Sequence, residues 1–312
     1  MKIIRTILSQ PPFRHSFIGL GNFDGVHIGH RRILKKLVDE AAAQQGTALV
    51  MTFHPHPLTV LRPDRPVSLI LSLREKLQRI AAMGVDAILL QRFELNFAHL
   101  TPEEFIQRYL VEAIGVEKVI VGHNVSFGRD RAGNAERLVA LGEQYGFEVE
   151  VVGPVTVGHR AVSSTAVRSL LTAGNMREAT QLLGQPYALS GRVVKGFQRG
   201  REIGFPTANI RPRAQVLLPN GVYAVCVDVD DDQYPAVANV GVNPTFGENK
   251  RSIEAHLFDF SADLYGKRIR VAFVERLREE RKFPSVQDLV SQIREDARRA
   301  RSLLSMTGQS AL

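Results

Sequence analysis

Two periodicities divide the chain. Up to about residue 185, short apolar runs alternate with stretches in which apolar residues recur every three or four positions. The short runs predict strands at 17–21, 48–53, 87–90, 119–122 and 147–152. Helical spacing follows the first of them, with Ile33, Leu34, Leu37 and Val38 on one face. Two later helix starts carry their own punctuation. Ser72-Leu-Arg-Glu75 is a capping box, and Thr101-Pro-Glu-Glu104 puts Pro102 at the first helical position. Strands alternating with helices predict a parallel sheet covered by helices, with ligands held beyond the carboxyl ends of the strands. After Gly184-Gln-Pro186, read as a loop, strand-like runs follow one another closely at 189–194, 222–229, 234–240, 253–260 and 269–274. Asp230-Asp-Asp232 reads as a hairpin tip between two of them. Such spacing predicts a small antiparallel barrel. A closing amphipathic helix at 285–304 carries Val286, Leu289, Val290, Ile293, Ala297, Ala300 and Leu304 at helical spacing. The expectation is two domains in series, 1–185 and 186–312, and 312 residues suffice for two cores.

Charge and cysteine usage narrow the class. The chain carries a formal net charge of +8 and a pI near 9.8. The basic residues are dispersed apart from Arg294, Arg298, Arg299 and Arg301, which read as a solvated helix face. A positive field draws in polyphosphate substrates, and nucleic acid is the other reading. Nothing in the chain resembles a recognition helix or an RNA-stacking sheet motif. No run approaches the roughly 18 apolar residues of a membrane span. The single cysteine, Cys226, excludes an internal disulfide framework and points to a reducing, cytoplasmic setting.

The first chemical constellation is Gly21-Asn-Phe-Asp-Gly-Val-His-Ile-Gly-His30, where a strand turns through glycines into a helix. Free backbone N–H groups at a helix start hold anions, and glycine lets the backbone approach a phosphate. His27 and His30, at i and i+3, share one helix face, so both imidazoles can donate to the same phosphate. A metal site is the alternative for His-x-x-His, although no third ligand converges. Two further segments are expected to join this nucleotide site. Gly122-His-Asn-Val-Ser-Phe-Gly128 follows a strand, and Ser163-Ser164-Thr165-Ala-Val-Arg168 opens a helix with an arginine one turn in. His54 and His56, beside prolines, read as shaping a loop that lines a pocket. The chain has no Gly-x-x-x-x-Gly-Lys-Ser/Thr phosphate loop.

The second constellation is Gly196-Phe-Gln-Arg-Gly200-Arg-Glu-Ile-Gly204-Phe-Pro-Thr207-Ala-Asn209. Its glycines suit a loop around phosphates. Thr207 and Asn209 share one face if extended, and both offer oxygens suited to Mg²⁺. Asn239-Val-Gly-Val-Asn-Pro-Thr-Phe246 reads as a rigid turn. Glu254 is a carboxylate in the middle of an apolar strand, on the same face as His256 and Phe258.

Together these segments resemble the bacterial bifunctional riboflavin kinase/FMN adenylyltransferase family, the FAD synthetases, over nearly the whole chain and in family order. The 21–30 block is similar to that family's adenylyltransferase signature, itself a relative of the His-Ile-Gly-His element of class I aminoacyl-tRNA synthetases. Gly204-Phe-Pro206-Thr-Ala-Asn209 and Glu254 are similar to its kinase signature. Val125 stands where the family commonly carries phenylalanine. The resemblance implies a Rossmann-like nucleotidyltransferase domain, then a six-stranded antiparallel β-barrel with a closing helix. It implies phosphorylation of riboflavin to FMN by ATP, and adenylation of FMN by ATP to FAD with release of pyrophosphate. Catalytic residues by resemblance are His27, His30, Arg168 and Glu254. ATP and flavin would be held by Gly21, Phe23, Asp24, Gly29, Asn124, Phe127, Ser164, Thr165, Gly196, Gly200, Gly204 and Pro206, and Mg²⁺ by Thr207 and Asn209. The expected partners are these small molecules, with no nucleic acid and no membrane; a homo-oligomer is compatible with the chain.

The two reactions need different groups. Riboflavin's 5′-hydroxyl is a poor nucleophile near neutral pH, so a positioned base helps, and Glu254 is the candidate. FMN's phosphate is already mostly anionic, with a second pKa near about 6, so the adenylyl step needs donors rather than a base. His27, His30, Ser164 and Arg168 are of that kind. The rival reading is a single adenylyltransferase whose barrel only binds flavin.

Overall fold

The computed structural model describes residues 2–9, 13–65, 67–196, 200, 203–212, 217–242 and 251–307. Two compact units divide the chain, Met1–Ser164 and Thr165–Leu312. In the first, β1 (Lys2–Ile4), β2 (Ser16–Leu20), β3 (Thr47–His54), β4 (Ala87–Arg92), β5 (Val116–Gly122) and β6 (Glu148–Val152) form one sheet in the order β1-β4-β3-β2-β5-β6. Every pairing is parallel. The five strands anticipated from the apolar runs are present with shifted ends, and the three-residue β1 at the edge gave no such run. β2 is buried over its whole length, because helices cover both faces of the sheet. Ile18, Leu20, Leu49, Met51, Val119 and Val121 pack on one face against Phe105, Ile106, Leu110, Leu138 and Leu141. The expected capping box forms at Ser72 with Glu75, and Thr101 with Glu104, read only as a helix start with Pro102 first, closes a second one. Strand order reverses between β2 and β5, so the crevice of this sheet opens at the ends of those two strands. α1 (Ile28–Ala43) starts there, directly after β2.

A two-residue ribbon, β7 (Thr156–Val157) with β8 (Arg160–Ala161), lies before the helix Ser164–Ala173. In the second unit, β9 (Tyr187–Val194), β10 (Ala208–Pro212), β11 (Gly221–Val229), β12 (Asp232–Val242), β13 (Arg251–Leu257) and β14 (Arg268–Arg278) close into an antiparallel barrel in the order β10-β13-β12-β11-β14-β9. The Asp230–Asp232 tip is as expected, with Val229 paired to Asp232 and Asp230 in the left-handed region at φ 54°. Tyr223, Val225 and Val227 fill the interior, and Tyr223 meets Phe273 edge-on at 5.4 Å. Val222, Ala224 and Val237 face outward against Ala300 and Leu304 of the closing helix Val286–Thr307. Val286, expected on that helix's buried stripe, is 60% exposed because it occupies the helix's first position. Asn239–Val242, expected in a turn, extend β12, while residues 243–246 lie outside the described set.

Candidate active sites

The β2–α1 turn is held open against strong local preference. Phe23 and Val26 take φ values of 50° and 43°, a left-handed backbone that bulky residues adopt only when their surroundings enforce it. The Phe23 ring is 1% exposed and packs under Gly21, edge-on to His30 at 5.2 Å. Phe23 is thus a buried support for an imidazole. The Asp24 carboxylate accepts from the N–H groups of Ile70 (3.1 and 3.2 Å) and Leu71 (3.4 Å). The Asp24 carbonyl accepts from Ser164 Oγ at 2.9 Å. On the helix that Ser164 opens, Thr165 is exposed and Arg168, one turn further on, is half-buried. Thr52 Oγ1 and Lys76 Nζ both donate to the Asn22 carbonyl, each at 3.1 Å.

The two histidines stand against each other. His27 is the N-cap of α1, and its Nδ1 accepts from the N–H of His30 at 3.2 Å. This removes one orphan N–H of the first turn and leaves the His27 proton on Nε2. The rings stack at 3.6 Å with 15° between their planes. Gly29 makes room for the fold-back: a Cβ there would lie 3.2 Å from His27 Nδ1 and 3.3 Å from Cε1. Burial first, then the neighbouring His27 and Lys76, holds the His30 pKa well below 6.5, so its ring is neutral at pH 7. His30 Nδ1 is buried with no hydrogen-bond partner. His30 thus offers a hydrogen bond rather than a charge, and positive charge for a polyphosphate comes from elsewhere.

Asn124 is exposed just after β5, in a turn closed by Val125 N–H to the Gly122 carbonyl at 3.0 Å. Phe127 is only 9% exposed and packs into the sheet's core beside Phe105 at 5.8 Å, with Val125 against the same cluster. His54 and His56 do line a cleft, of about 280 Å³, together with Asp24, Phe53, Lys76 and three leucines. His56 also caps the helix Pro57–Leu61, accepting from Leu58 N–H at 3.2 Å. Burial, then Lys76 and Arg5, lowers the His54 pKa. The reading of motifs missed Lys76. Its signal is a lysine on the apolar stripe of the helix Leu73–Ala81, between Leu73 and Ile80.

In the barrel, register assembles the second site. Asn209 on β10 lies directly opposite Glu254 on β13, and Glu254 lies opposite Asn239 on β12. The three residues form one lateral row, with neighbouring Cβ atoms about 5 Å apart. His256 is opposite the outward-facing Val237, so the row lies on the barrel's outer surface. Asn239 was not singled out from sequence, because only pairing reveals it. Asn209 is 6% exposed, and a Cβ on Gly196 would strike its amide at 2.4 Å from Nδ2. A Cβ on Gly200 would lie 2.3 Å from the Phe205 carbonyl and 3.3 Å from Thr207 Oγ1. Gly204 is exposed with φ 84°, and the Pro206 carbonyl lies 2.8 Å from His256 Nδ1. Residues 197–199, 201 and 202 of the glycine loop lie outside the described set. Among the described residues no group of three or more His, Cys, Asp and Glu is placed to hold a metal. Mg²⁺ keeps waters and substrate phosphates in its shell, so Thr207 and Asn209 fit it as two neutral oxygen donors, not as a cage.

A family model described as FAD synthetase matches residues 9–166, and one described as riboflavin kinase matches residues 183–304. A bifunctional riboflavin kinase/FMN adenylyltransferase of Escherichia coli K12 is 41% identical over 310 residues, covering 98% of this chain and 99% of its own. Its namesake in Pseudomonas fluorescens is 37% identical, covering 97% and 98%, and that in Bacillus subtilis 37%, covering 91% of each. A solved Streptococcus pneumoniae structure described as a macrolide-efflux protein superposes with a TM-score of 0.87 at 34% identity, covering 96% of this chain and 98% of that one. Among the described residues no helix is long and apolar enough to cross a membrane. With both domains matched in order and curated relatives aligned from end to end, the chain belongs to the bifunctional riboflavin kinase/FMN adenylyltransferase family.

Proposed function

We propose that this enzyme adenylates FMN at the β2–α1 turn and phosphorylates riboflavin at the Asn209–Glu254–Asn239 row, with a functional boundary near residue 185. The register pairing of Asn209 with Glu254, two motif residues far apart in sequence, carries the kinase assignment. Glu254 takes the proton of the 5′-hydroxyl as it attacks the γ-phosphorus and ADP leaves, a role worth about 10²–10⁴-fold. Thr207 and Asn209 would hold Mg²⁺, which would supply neutralisation of phosphoryl charge. Gly196, Gly200, Gly204 and Pro206 shape the loop over the phosphates. In the adenylyl site the FMN phosphate oxygen attacks the α-phosphorus of ATP and pyrophosphate leaves. His27 and His30 supply donors to the developing charge, and the buried, unpartnered His30 Nδ1 is the observation that favours a ligand there. Gly21, Gly29, Asp24, Phe23 and Ser164 keep the turn in shape, while Asn124 contributes at its margins. Riboflavin, FMN and ATP are the partners, neither nucleic acid nor a membrane takes part, and the single Cys226 accords with a cytoplasmic setting.

Purified variants given riboflavin, ATP and Mg²⁺ test the separation by chromatography of the products. His27→Ala/His30→Ala stalls at FMN, losing about 3–4 kcal/mol of transition-state stabilisation or more. Glu254→Ala makes no FMN yet converts supplied FMN to FAD. Loss of both steps from either change would defeat the assignment.

A further inference from the structure

The Lys76 ammonium is a buried basic group that the two proposed reactions leave unused, beneath one of their sites. It is 8% exposed. Its three protons go to three neutral oxygens: the Asn22 carbonyl at 3.1 Å, Thr52 Oγ1 at 3.0 Å and the Phe53 carbonyl at 3.2 Å. Asn22 belongs to the turn after β2, and Thr52 and Phe53 to the end of β3. Thr52 Oγ1 in turn donates to Asn22 at 3.1 Å, which closes a ring of bonds between the two strand ends. We infer that Lys76 is a positioning residue for the adenylyl step, fastening the β2–α1 turn to the end of β3 and so setting where His27 and His30 stand.

The inference rests on the assignment of that step to this turn. A lysine is an expensive strut, since burial disfavours its charge. An uncharged side chain would take a donor from the Phe53 carbonyl and leave Thr52 Oγ1 alone to hold the Asn22 carbonyl, which loosens the junction. Titratable groups face Lys76 from each neighbouring element: Asp24 on the turn, His30 on α1, His54 at the end of β3 and His56 just after it. Asp24 favours the ammonium, but burial outweighs it and brings the Lys76 pKa down to about 8. The positive charge also helps hold His30 neutral. Above the Lys76 pKa an amine with two protons faces three acceptors, and the strut loses a bond.

The experiment is steady-state kinetics of both reactions on the full-length wild type, Lys76→Met and Thr52→Val across pH 6–10. The expected wild-type profile for FMN to FAD has an alkaline limb near pH 8 that riboflavin phosphorylation lacks. In Lys76→Met FAD formation falls about 10²-fold, as for a misplacement of the reacting groups by about 1 Å, and the limb disappears. The His30 imidazole, followed by NMR, titrates higher than in the wild type. Thr52→Val, which keeps the ammonium but removes one partner, gives a smaller fall in FAD formation. A Lys76→Met enzyme with a dispersed amide spectrum, wild-type FAD formation and an unchanged limb overturns the inference. If Lys76→Met does not fold, a Thr52→Val rate equal to wild type with no wild-type limb near pH 8 overturns it equally. His27→Ala separates the two claims: if that variant still makes FAD, the assignment of the site itself fails.

Discussion

Gly196→Ala isolates one contact in the proposed kinase site. Gly196 does not need the left-handed region, so alanine is tolerated by the backbone and only space is at issue. The added methyl would lie 2.4 Å from Asn209 Nδ2, 2.5 Å from Cγ and 2.6 Å from Oδ1, where ordinary contact begins at 3.4 Å. The amide must therefore retreat by about 1 Å. At 6% exposure, between Glu254 and Val194 on the flanking strands, it has no solvent to retreat into. A shift of that size at a positioning group costs about 10²-fold in rate, or about 2.7 kcal/mol. Riboflavin-dependent ADP release measures it, with conversion of supplied FMN to FAD by the same preparation as the control. The expected result is a fall of about two decades in the first rate and none in the second. A kinase rate within about threefold of wild type would show that the Asn209 position does not matter to phosphoryl transfer.

The closing helix is pinned by a buried ion pair, with Arg278 Nε donating to both Asp296 oxygens at 3.1 and 2.9 Å, and Asp296 1% exposed. Asp296→Ala strands that guanidinium and is expected to lower stability by about 3–5 kcal/mol in urea unfolding, whereas Arg278→Met with Asp296→Leu stays near wild type. If the single change were silent, the pair would not be what holds the helix. Burial raises the Tyr223 pKa to about 12, and its hydroxyl donates to the Pro219 carbonyl at 2.7 Å. Unfolding releases the phenol to ionise near 10, so this contribution to stability is whole below pH 10 and is lost as pH rises towards 12. Tyr223→Phe should flatten the fall in melting temperature over that window, and an unchanged slope would refute the burial argument.

Much of the fold was legible because local rules and tertiary demands agree. The capping boxes at Ser72 and Thr101 form because side chain and backbone lie within one turn of each other. The central strands β2 and β3 of the first unit are buried over all or most of their length because helices cover both faces of their sheet. β1 escaped notice since three residues carry no period, and Val286 misled because the stripe runs on to a helix end that nothing covers. Phe23 and Phe127, read from their motif as ligand contacts, are buried; a motif gives the position of a ring, not the direction in which it points.

By itself the sequence determined that a glycine-containing turn joins a strand to a helix near His27, and that a second motif set occupies a different kind of fold. Periodicity and turn chemistry act over a few residues, and both statements need no more than that. Tertiary structure alone decided that the two imidazoles stack and cap instead of reaching out together, and that Lys76 lies beneath their turn. It also set Asn209, Glu254 and Asn239 in one row. Such relations depend on strand register and on which side chains share a buried volume, and neither is encoded at fixed spacing along the chain.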